Sequence, residues 1–344
     1  MMASEKDVFD ISGPVYLSCV NWKCSHHRRS VAACLVQAVY ISELDRQYNR
    51  KGNEAVASPW WEFFHFERTS TLVDDADSSI FGAIYKFKPL PSSQDSSVQD
   101  APKFVIAFRG TLPSKDSLAR DGSLDLQIIK NGLHQTSRFQ IAMQAVRNLI
   151  SAAKNSNIWL AGHSLGAAIA TLAGKNTAKT GMLLETFLFN PPFVSAPIER
   201  IRDKNVRQGI RIASSFLTAG LSLALKDRHE KSTLEESFAT LSLWMPRLFV
   251  NPGDYICSEY IGYFEHRKFM EKLGVGSIER LATQNSIGGL FLSALGKDSD
   301  PLHLLPSANL TINLSPCPDF MTAHSIHQWW RADLHLQSKQ YHYG

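Results

Sequence analysis

Hydrophobic residues form two kinds of pattern along this chain. Short apolar runs bounded by turn-forming residues predict buried strands, and longer segments with apolar residues at i, i+3, i+4 and i+7 predict amphipathic helices. The helical pattern covers residues 26–48, 139–153 and 167–178, and it dominates again between residues 193 and 248. The predicted strands are residues 80–87, 103–108, 157–161, 183–189 and 248–251.

Strands that alternate with helices predict an α/β fold, with a mostly parallel central sheet and helices on both of its faces. The Pro- and Ser-rich segment 89–102 is typical of a surface loop rather than a domain linker. We therefore expect one domain over residues 1–344, with its core at about 80–335 and a helical cap or insertion at about 195–245.

Composition excludes several classes of protein. The 344 residues are 44% hydrophobic, as in an ordinary globular protein. A net charge of +4 without a basic stripe argues against nucleic acid as a partner. Five irregularly spaced cysteines and an N-terminus without a secretory signal indicate a reduced, cytoplasmic protein. The glycosylation sequons at Asn309 and Asn313 are then expected to be chance matches.

Residues 212–225 form the longest uncharged apolar segment, and its 14 residues are rich in Leu and Ala. A helix needs roughly 18 or more such residues to span a membrane. The segment has two interpretations, a buried core helix or a cap segment that contacts lipid. A transient contact with a membrane or lipid surface is therefore compatible with the sequence.

Cys19, Cys24, His26 and His27 are the side chains near the N-terminus that could bind zinc. A structural zinc site takes four ligands, usually as two closely spaced pairs. No second pair with matching spacing follows these residues, so we expect no metal ion.

The sequence Gly162-His163-Ser164-Leu165-Gly166 lies between a predicted strand and a helix of small residues. This Gly-x-Ser-x-Gly context holds a nucleophilic serine on a tight bend, and the glycines leave room for the bend. A serine hydroxyl also needs a base and donors for the developing oxyanion. Ser164 is the predicted nucleophile. His163 cannot easily point at its neighbour and is interpreted as a packing or hydrogen-bonding residue.

Four blocks of residues resemble the class 3 lipase family, particularly its plant members. The resemblance covers residues 80–335, and it implies an α/β-hydrolase fold, hydrolysis of a lipid or small ester, no metal and no organic cofactor. The blocks are the strand ending in Phe-Arg-Gly-Thr at 105–111, Leu-His at 133–134, the serine turn at 162–166 and Asn-Pro-Gly-Asp at 251–254.

The resemblance also implies the groups around the nucleophile. The backbone N–H groups of Thr111 and Leu165 are the expected oxyanion-hole donors, and Arg109 is expected to anchor its loop. Residues 112–132 occupy the usual place of a lid, and the long stretch between residues 193 and 248 is a candidate cap.

The expected chain order of the triad is Ser, Asp, His. Asp254 follows a short apolar strand and a Pro-Gly turn, which predicts a position at the carboxyl edge of the sheet. Asp203 and Asp227 lie in a charged helical stretch, where a solvated surface position is the better interpretation. We therefore predict that Asp254 is the acid.

The base must come later in the chain. His324 is the predicted base, because family members show a histidine followed five residues later by an aromatic, here Trp329. His327, one turn further on, is the alternative base.

Two rival interpretations use other features. Lys-Asp-Ser-Leu at 115–118 and Asp-Pro-Leu-His at 300–303 resemble motifs of Gly-Asp-Ser-Leu esterases, with Ser117 as nucleophile, but the glycine is missing and the block lies mid-chain. Non-catalytic lipase-like signalling proteins are the rival from another class. Those of plant immunity carry a further helical domain, whereas 20 residues follow His324 here.

Overall fold

The computed structural model contains one eight-stranded sheet, whose strands follow the chain order from edge to edge. They are β1 Phe66–Val73, β2 Ile80–Phe87, β3 Phe104–Phe108, β4 Ile158–His163, β5 Glu185–Phe189, β6 Arg247–Val250, β7 Ala308–Asn313 and β8 Leu336–Tyr341. The structure describes residues 17, 19–57, 59–89, 96–112, 133–153, 157–194, 198–201, 203–225, 238–276, 278 and 303–343.

The five strands β3 to β7 are parallel, and β1, β2 and β8 are antiparallel additions at the two edges. The predicted mostly parallel sheet is confirmed. Because parallel strands end at one common edge of the sheet, the residues that follow β3, β4, β5 and β6 are brought close together there. In sequence they are Arg109, Ser164, Asn190 and Asn251.

Helices cover both faces of the sheet, as predicted. Right-handed crossovers between successive neighbouring strands place their helices on one face, and α3, α4 and α6 pack there. The N-terminal helix α1 packs on the other face. The helices are α1 Ser25–Gln47, α2 Pro59–Glu62, α3 Ser137–Ala153, α4 Leu165–Lys179, α5 Lys204–Leu225, α6 Glu259–Lys272 and α7 Phe320–His324.

Strand side chains alternate between two apolar cores, because successive residues of a strand point to opposite faces. In β4, Leu160 packs with α3 and α4, whereas Trp159 and Ala161 pack with α1. Both faces of the central strands are therefore buried, which explains why these strands show continuous apolar runs in the sequence.

Three strands and two helices, the short α2 and α6, were absent from the sequence prediction. The edge strands β1 and β8 are mostly polar and exposed, so their sequences show no apolar run. Strand β7 is buried, but Asn309 and Asn313 interrupt its apolar pattern. Asn313 is buried, and its Nδ2 donates to Gln328 Oε1 at 2.8 Å. The buried residues of helix α6 include polar ones such as Glu259 and His266, so its sequence shows no continuous apolar stripe.

In the described part of residues 212–225, the interpretation as a buried core helix holds for one side of the helix only, where Ser215, Thr218 and Ala219 are buried. The segment belongs to α5, in which Phe216 and Leu217 are 48% and 55% exposed. None of the described helices is long and apolar enough to cross a membrane. The remainder of the expected insertion, 195–197, 202 and 226–237, lies outside the described residues.

A glycine in α4 allows close packing, and its replacement predicts a loss of stability. A Cβ at Gly174 would lie 2.2 Å from the ring of Trp244, which is buried and fixed by a hydrogen bond from Nε1 to Leu184 O. We expect Gly174→Ala to lower the free energy of unfolding by about 1–3 kcal/mol through overpacking.

The matched control is Gly209→Ala in α5, where a Cβ meets open space. This change should raise the free energy of unfolding by about 0.5–1 kcal/mol, because alanine favours the helix. Urea denaturation of both variants measures the difference, and equal effects would contradict the packing argument.

Candidate active site

Ser164 lies on a sharp bend between β4 and α4. Its φ of 55° and ψ of −125° are unusual for a residue with a side chain, and such strain is often found at functional sites. A Cβ at Gly162 would lie 2.3 Å from Gly166 O, and a Cβ at Gly166 would lie 2.3 Å from Phe108 O. Both glycines are therefore needed for the bend to form and to pack against β3.

Ser164, His324 and Asp254 form one hydrogen-bonded chain. His324 Nε2 lies 3.0 Å from Ser164 Oγ, and His324 Nδ1 lies 2.8 Å from Asp254 Oδ2. With the Nδ1 proton directed at the carboxylate, Nε2 is the nitrogen that can accept the serine proton. The structure thus brings together the three residues that the sequence predicted as nucleophile, acid and base, although they are far apart in sequence.

The carboxylate of Asp254 is fully buried, with 0% exposure. Burial of a charge is costly unless hydrogen bonds offset the loss of water. Besides His324, Asp254 Oδ2 accepts from Asn190 Nδ2 at 2.6 Å and from Cys257 Sγ at 3.2 Å. The Oδ1 atom accepts the N–H of Ile256 at 2.9 Å. Burial raises the pKa of the Cys257 thiol well above its ordinary value, so the thiol stays protonated and donates.

Asn190 connects Asp254 to the segment that carries His324. Its Nδ2 also donates to Ala323 O at 3.0 Å, and its Oδ1 accepts from Trp329 Nε1 at 2.6 Å. The φ of Asn190 is 47°, a left-handed conformation that asparagine tolerates better than most residues. The sequence prediction missed Asn190, and the available signal was an asparagine placed directly after a predicted strand.

The loop after β3 lies against the nucleophile. Arg109 Nε donates to Ile80 O and its Nη1 donates to Gly110 O, both at 2.6 Å, so Arg109 holds the loop as predicted. A Cβ at Gly110 would lie 2.8 Å from Ser164 Cβ, which places the next residue, Thr111, beside the site.

Leu165 is the first residue of α4, and the N–H groups of a first helical turn have no acceptor within their helix. Both expected oxyanion-hole residues therefore flank Ser164 in the fold. The two N–H groups are part of the backbone, so holding them in place costs no side-chain entropy.

The other two histidines near the site have different surroundings. His163 Nδ1 lies 2.8 Å from Tyr40 Oη, and its Nε2 lies 2.7 Å from His324 O. Burial, followed by the nearby charge of His324, holds the pKa of His163 well below its ordinary value. Burial also lowers the pKa of His327 to about 4, and its ring packs near Trp330. His324, and not the alternative His327, contacts Ser164 and Asp254.

The remaining candidates from the sequence lie elsewhere. Asp203 is a helix cap, because its Oδ1 accepts the N–H groups of Asn205 and Val206 at the start of α5. His303 is buried against Phe193. Outside the described residues lie Asp227, the block 115–118 with Ser117, residues 300–302, and the lid segment beyond Leu112 as far as residue 132.

One of the suggested N-terminal zinc ligands, His27, is hydrogen-bonded to the backbone. His27 Nδ1 accepts the backbone N–H of Asn21 at 3.0 Å. Across the described ranges, no group of three or more His, Cys, Asp or Glu side chains is arranged to hold a metal ion.

Comparison with known proteins identifies the family. A model of the family "Lipase (class 3)" matches residues 105–197, which include the serine turn. A protein of Arabidopsis thaliana described as a GDSL esterase/lipase is 53% identical over 353 residues, covering 100% of both chains. The chain belongs to the class 3 lipase family. It is a carboxylic ester hydrolase.

Two solved structures are also similar to this lipase-family chain. Lipase II from Rhizopus niveus matches with a TM-score of 0.36 and 14% identity, over 67% of this chain and 73% of that one. A lipase from Rhizopus microsporus var. chinensis matches with a TM-score of 0.32 and 12% identity, over 67% of each chain.

The description of the Arabidopsis relative includes the letters GDSL. In this chain the corresponding block begins with Lys115 instead of glycine. The family match contains both Ser117 and Ser164. Ser164 lies on the glycine-flanked turn, with its Oγ 3.0 Å from His324 Nε2, whereas Ser117 lies outside the described residues.

The contacts of Asn190 predict a pH-dependent substitution effect. Asn190→Asp puts a second carboxyl group beside Asp254, and two carboxyl groups at one site share a proton with a raised pKa. Above that pKa the two charges repel. As the pH falls, the proton returns and supplies a donor to Asp254 in place of the lost amide.

Asn190→Ala is the matched variant, because it loses the amide without adding a carboxyl group. A hydrogen bond to a charged group contributes about 1.5–3 kcal/mol, so the kcat ratio of Asn190→Asp to Asn190→Ala should rise about tenfold from pH 8 to pH 6. Hydrolysis of a soluble ester at several pH values measures this ratio. A ratio independent of pH would show that the amide does not act on the carboxylate.

Proposed function

We propose that this lipase-family enzyme cleaves acyl esters through an acyl-enzyme intermediate on Ser164. The observation that carries the proposal is the unbroken hydrogen-bonded chain from Ser164 Oγ through His324 to Asp254 Oδ2, with distances of 3.0 and 2.8 Å. All three members of this hydrogen-bonded chain are in contact, which favours catalysis over a non-catalytic lipase-like signalling role. A signalling protein would not need a histidine in contact with the serine.

In the proposed reaction, Ser164 Oγ attacks the ester carbonyl while His324 Nε2 takes its proton. The buried carboxylate of Asp254 stabilises the imidazolium that forms. The N–H groups of Thr111 and Leu165 stabilise the oxyanion, and such donors lower the barrier by about 3–4 kcal/mol each. His324 then returns the proton to the departing alcohol, and a water molecule releases the acid by the same steps in reverse.

A fluorophosphonate probe and a soluble short-chain ester test this mechanism together. Ser164→Ala should abolish both labelling and hydrolysis. His324→Ala and Asp254→Asn should each lower kcat by about 10⁴-fold, as in other serine hydrolases.

Two matched variants serve as controls. Ser117→Ala should keep full labelling, and His327→Ala should keep kcat near that of the wild type, since neither residue takes part in the proposed chain. Loss of labelling in Ser117→Ala would revive the Gly-Asp-Ser-Leu alternative. An unlabelled wild-type protein would favour the signalling alternative.

Contact with a lipid surface is the second part of the proposal, and α5 supports it. The polar side of this helix faces the protein, where Arg207 pairs with Glu199 at 2.9 Å and Arg211 pairs with Glu259 at 2.6 Å. Ser215 Oγ lies 3.0 Å from His266 Nε2 on the same side. The polar face of α5 is thus used within the molecule.

The apolar side of α5 faces solvent instead. Among the described side chains of this helix, the exposed large apolar residues are Val206, Ile210, Phe216 and Leu217. Exposed apolar patches of this kind mark interaction sites. A helix whose apolar side is exposed while its polar side is held by the protein is suited to binding at a lipid surface. We therefore propose that α5 docks on a membrane or droplet lipid surface through this apolar side.

The double variant Phe216→Ser/Leu217→Ser tests this docking. Sedimentation with vesicles of phosphatidylglycerol and phosphatidylcholine should show binding weakened about tenfold or more, because each buried apolar side chain contributes roughly 1.5–3 kcal/mol. Hydrolysis of a soluble ester should not change. The control Leu243→Ser removes another side chain that is 67% exposed and should bind vesicles like the wild type; equal binding by all three proteins would refute docking through α5.

A reducing, cytoplasmic location completes the proposal. All five cysteines carry free thiols, and Cys34 and Cys257 are buried. Free thiols are typical of proteins that fold in reducing compartments. Imaging of a fluorescent fusion would test the location.

A further inference from the structure

A buried hydrogen-bonded chain reaches the site from the N-terminal helix. The N–H of Gly110 donates to Tyr40 Oη at 2.7 Å, and Tyr40 Oη lies 2.8 Å from His163 Nδ1. His163 Nε2 lies 2.7 Å from the carbonyl oxygen of His324. Tyr40 and His163 are both buried. The chain therefore runs from the loop before Thr111 to the backbone of the predicted base.

The direction of each hydrogen bond follows from its ends. The carbonyl oxygen of His324 can only accept, so His163 Nε2 must carry a proton. Burial keeps His163 neutral by lowering its pKa, which leaves Nδ1 as an acceptor for the hydroxyl proton of Tyr40. The oxygen of Tyr40 then accepts from Gly110. Each member of the chain has one defined role, and the hydroxyl of Tyr40 supplies the central link.

The same helix holds the other side of the loop after β3. Glu43 lies three residues after Tyr40, on the same side of α1. Its Oε2 accepts the N–H of Ile80 at 2.8 Å, and its Oε1 lies 4.0 Å from Arg109. Arg109 in turn donates to Ile80 O and to Gly110 O. Tyr40 thus binds the Gly110 N–H directly, whereas Glu43 lies beside the Arg109 guanidinium that binds Gly110 O.

We propose that Tyr40 is a positioning residue for ester hydrolysis, which fixes the Gly110–Thr111 backbone and, through His163, the backbone of His324. This inference rests on the proposed function of the same site. A Cβ at Gly110 would lie 2.7 Å from Tyr40 Oη and 2.8 Å from Ser164 Cβ, so the loop is enclosed between the hydroxyl and the nucleophile. Since α1 precedes the family match at 105–197, the helix supplies a part of the site that the matched segment lacks.

Tyr40→Phe removes only the hydroxyl and is the test variant. The matched control is Tyr85→Phe, because Tyr85 is buried in the same apolar core and its Oη has no hydrogen-bond partner among the described residues. Both variants lose one buried oxygen, but only Tyr40→Phe breaks the chain.

For Tyr40→Phe we expect kcat on a soluble ester to fall tenfold or more, with KM within twofold of the wild type. The rate of fluorophosphonate labelling should fall in parallel. Tyr85→Phe should keep kcat and the labelling rate within twofold. A tenfold loss is expected because displacement of an oxyanion donor acts on the transition state and not on substrate binding.

Amide hydrogen exchange gives a readout that does not depend on activity. Exchange in peptides containing Gly110 and His324 should be faster in Tyr40→Phe and unchanged in Tyr85→Phe. Wild-type kcat together with wild-type exchange in Tyr40→Phe would overturn the inference, as would equal effects of the two variants. An inactive wild-type protein with the expected exchange pattern would contradict the proposed function and leave the positioning role of Tyr40 standing.

Discussion

The buried carboxylate of Asp254 is the constraint on which the geometry of the site depends. An ion taken out of water carries a penalty of several kcal/mol unless its oxygens are well hydrogen-bonded. Here the four donors come from three places in the chain, the turn with Ile256 and Cys257 before α6, Asn190 after β5, and His324 at the end of α7. No local segment can supply this set. The sheet must bring the ends of β5 and β6 together before these hydrogen bonds can form. The burial of the Asp254 carboxylate and the fold of the sheet therefore depend on each other.

The bend at Ser164 imposes a second constraint, which concerns space rather than charge. The bend at Ser164 fits only because Gly162 and Gly166 let β4, α4 and the end of β3 approach to distances that a side chain would prevent. The same close approach places Gly110 against Ser164. The tight packing that strains the nucleophile therefore also positions the backbone expected to stabilise the oxyanion.

These constraints explain which features could be predicted from the sequence. The fold class, the family and the enzyme class could be predicted because the apolar runs of β2 to β6 and the glycine-flanked serine are local signals. All three predictions are confirmed. The roles of Ser164, Asp254 and His324 stay predictions, although the three residues are in contact. Asn190 and Tyr40 were missed because their partners are 64 and 123 residues away, and an isolated polar residue does not reveal a distant partner. The strands β1 and β8 were missed because an edge strand needs few apolar residues.

The two faces of the sheet contribute different parts of the site. The face that packs with α3 and α4 supports the serine bend, whereas the face that packs with α1 supplies Tyr40 and Glu43 and buries Trp329. Because Ser164, Asp254 and His324 follow strands at the edge where both faces meet, neither layer alone can fix the distances between them. The apolar surface of α5 is separate from this network. The contacts on the inward, polar side of the helix are made to Glu199, Glu259 and His266. A variant can therefore lose the proposed lipid docking and keep the proposed chemistry, or lose the chemistry and keep the docking. The two proposals rest on different physical effects, because docking would depend on desolvation of apolar side chains and the reaction on directed hydrogen bonds.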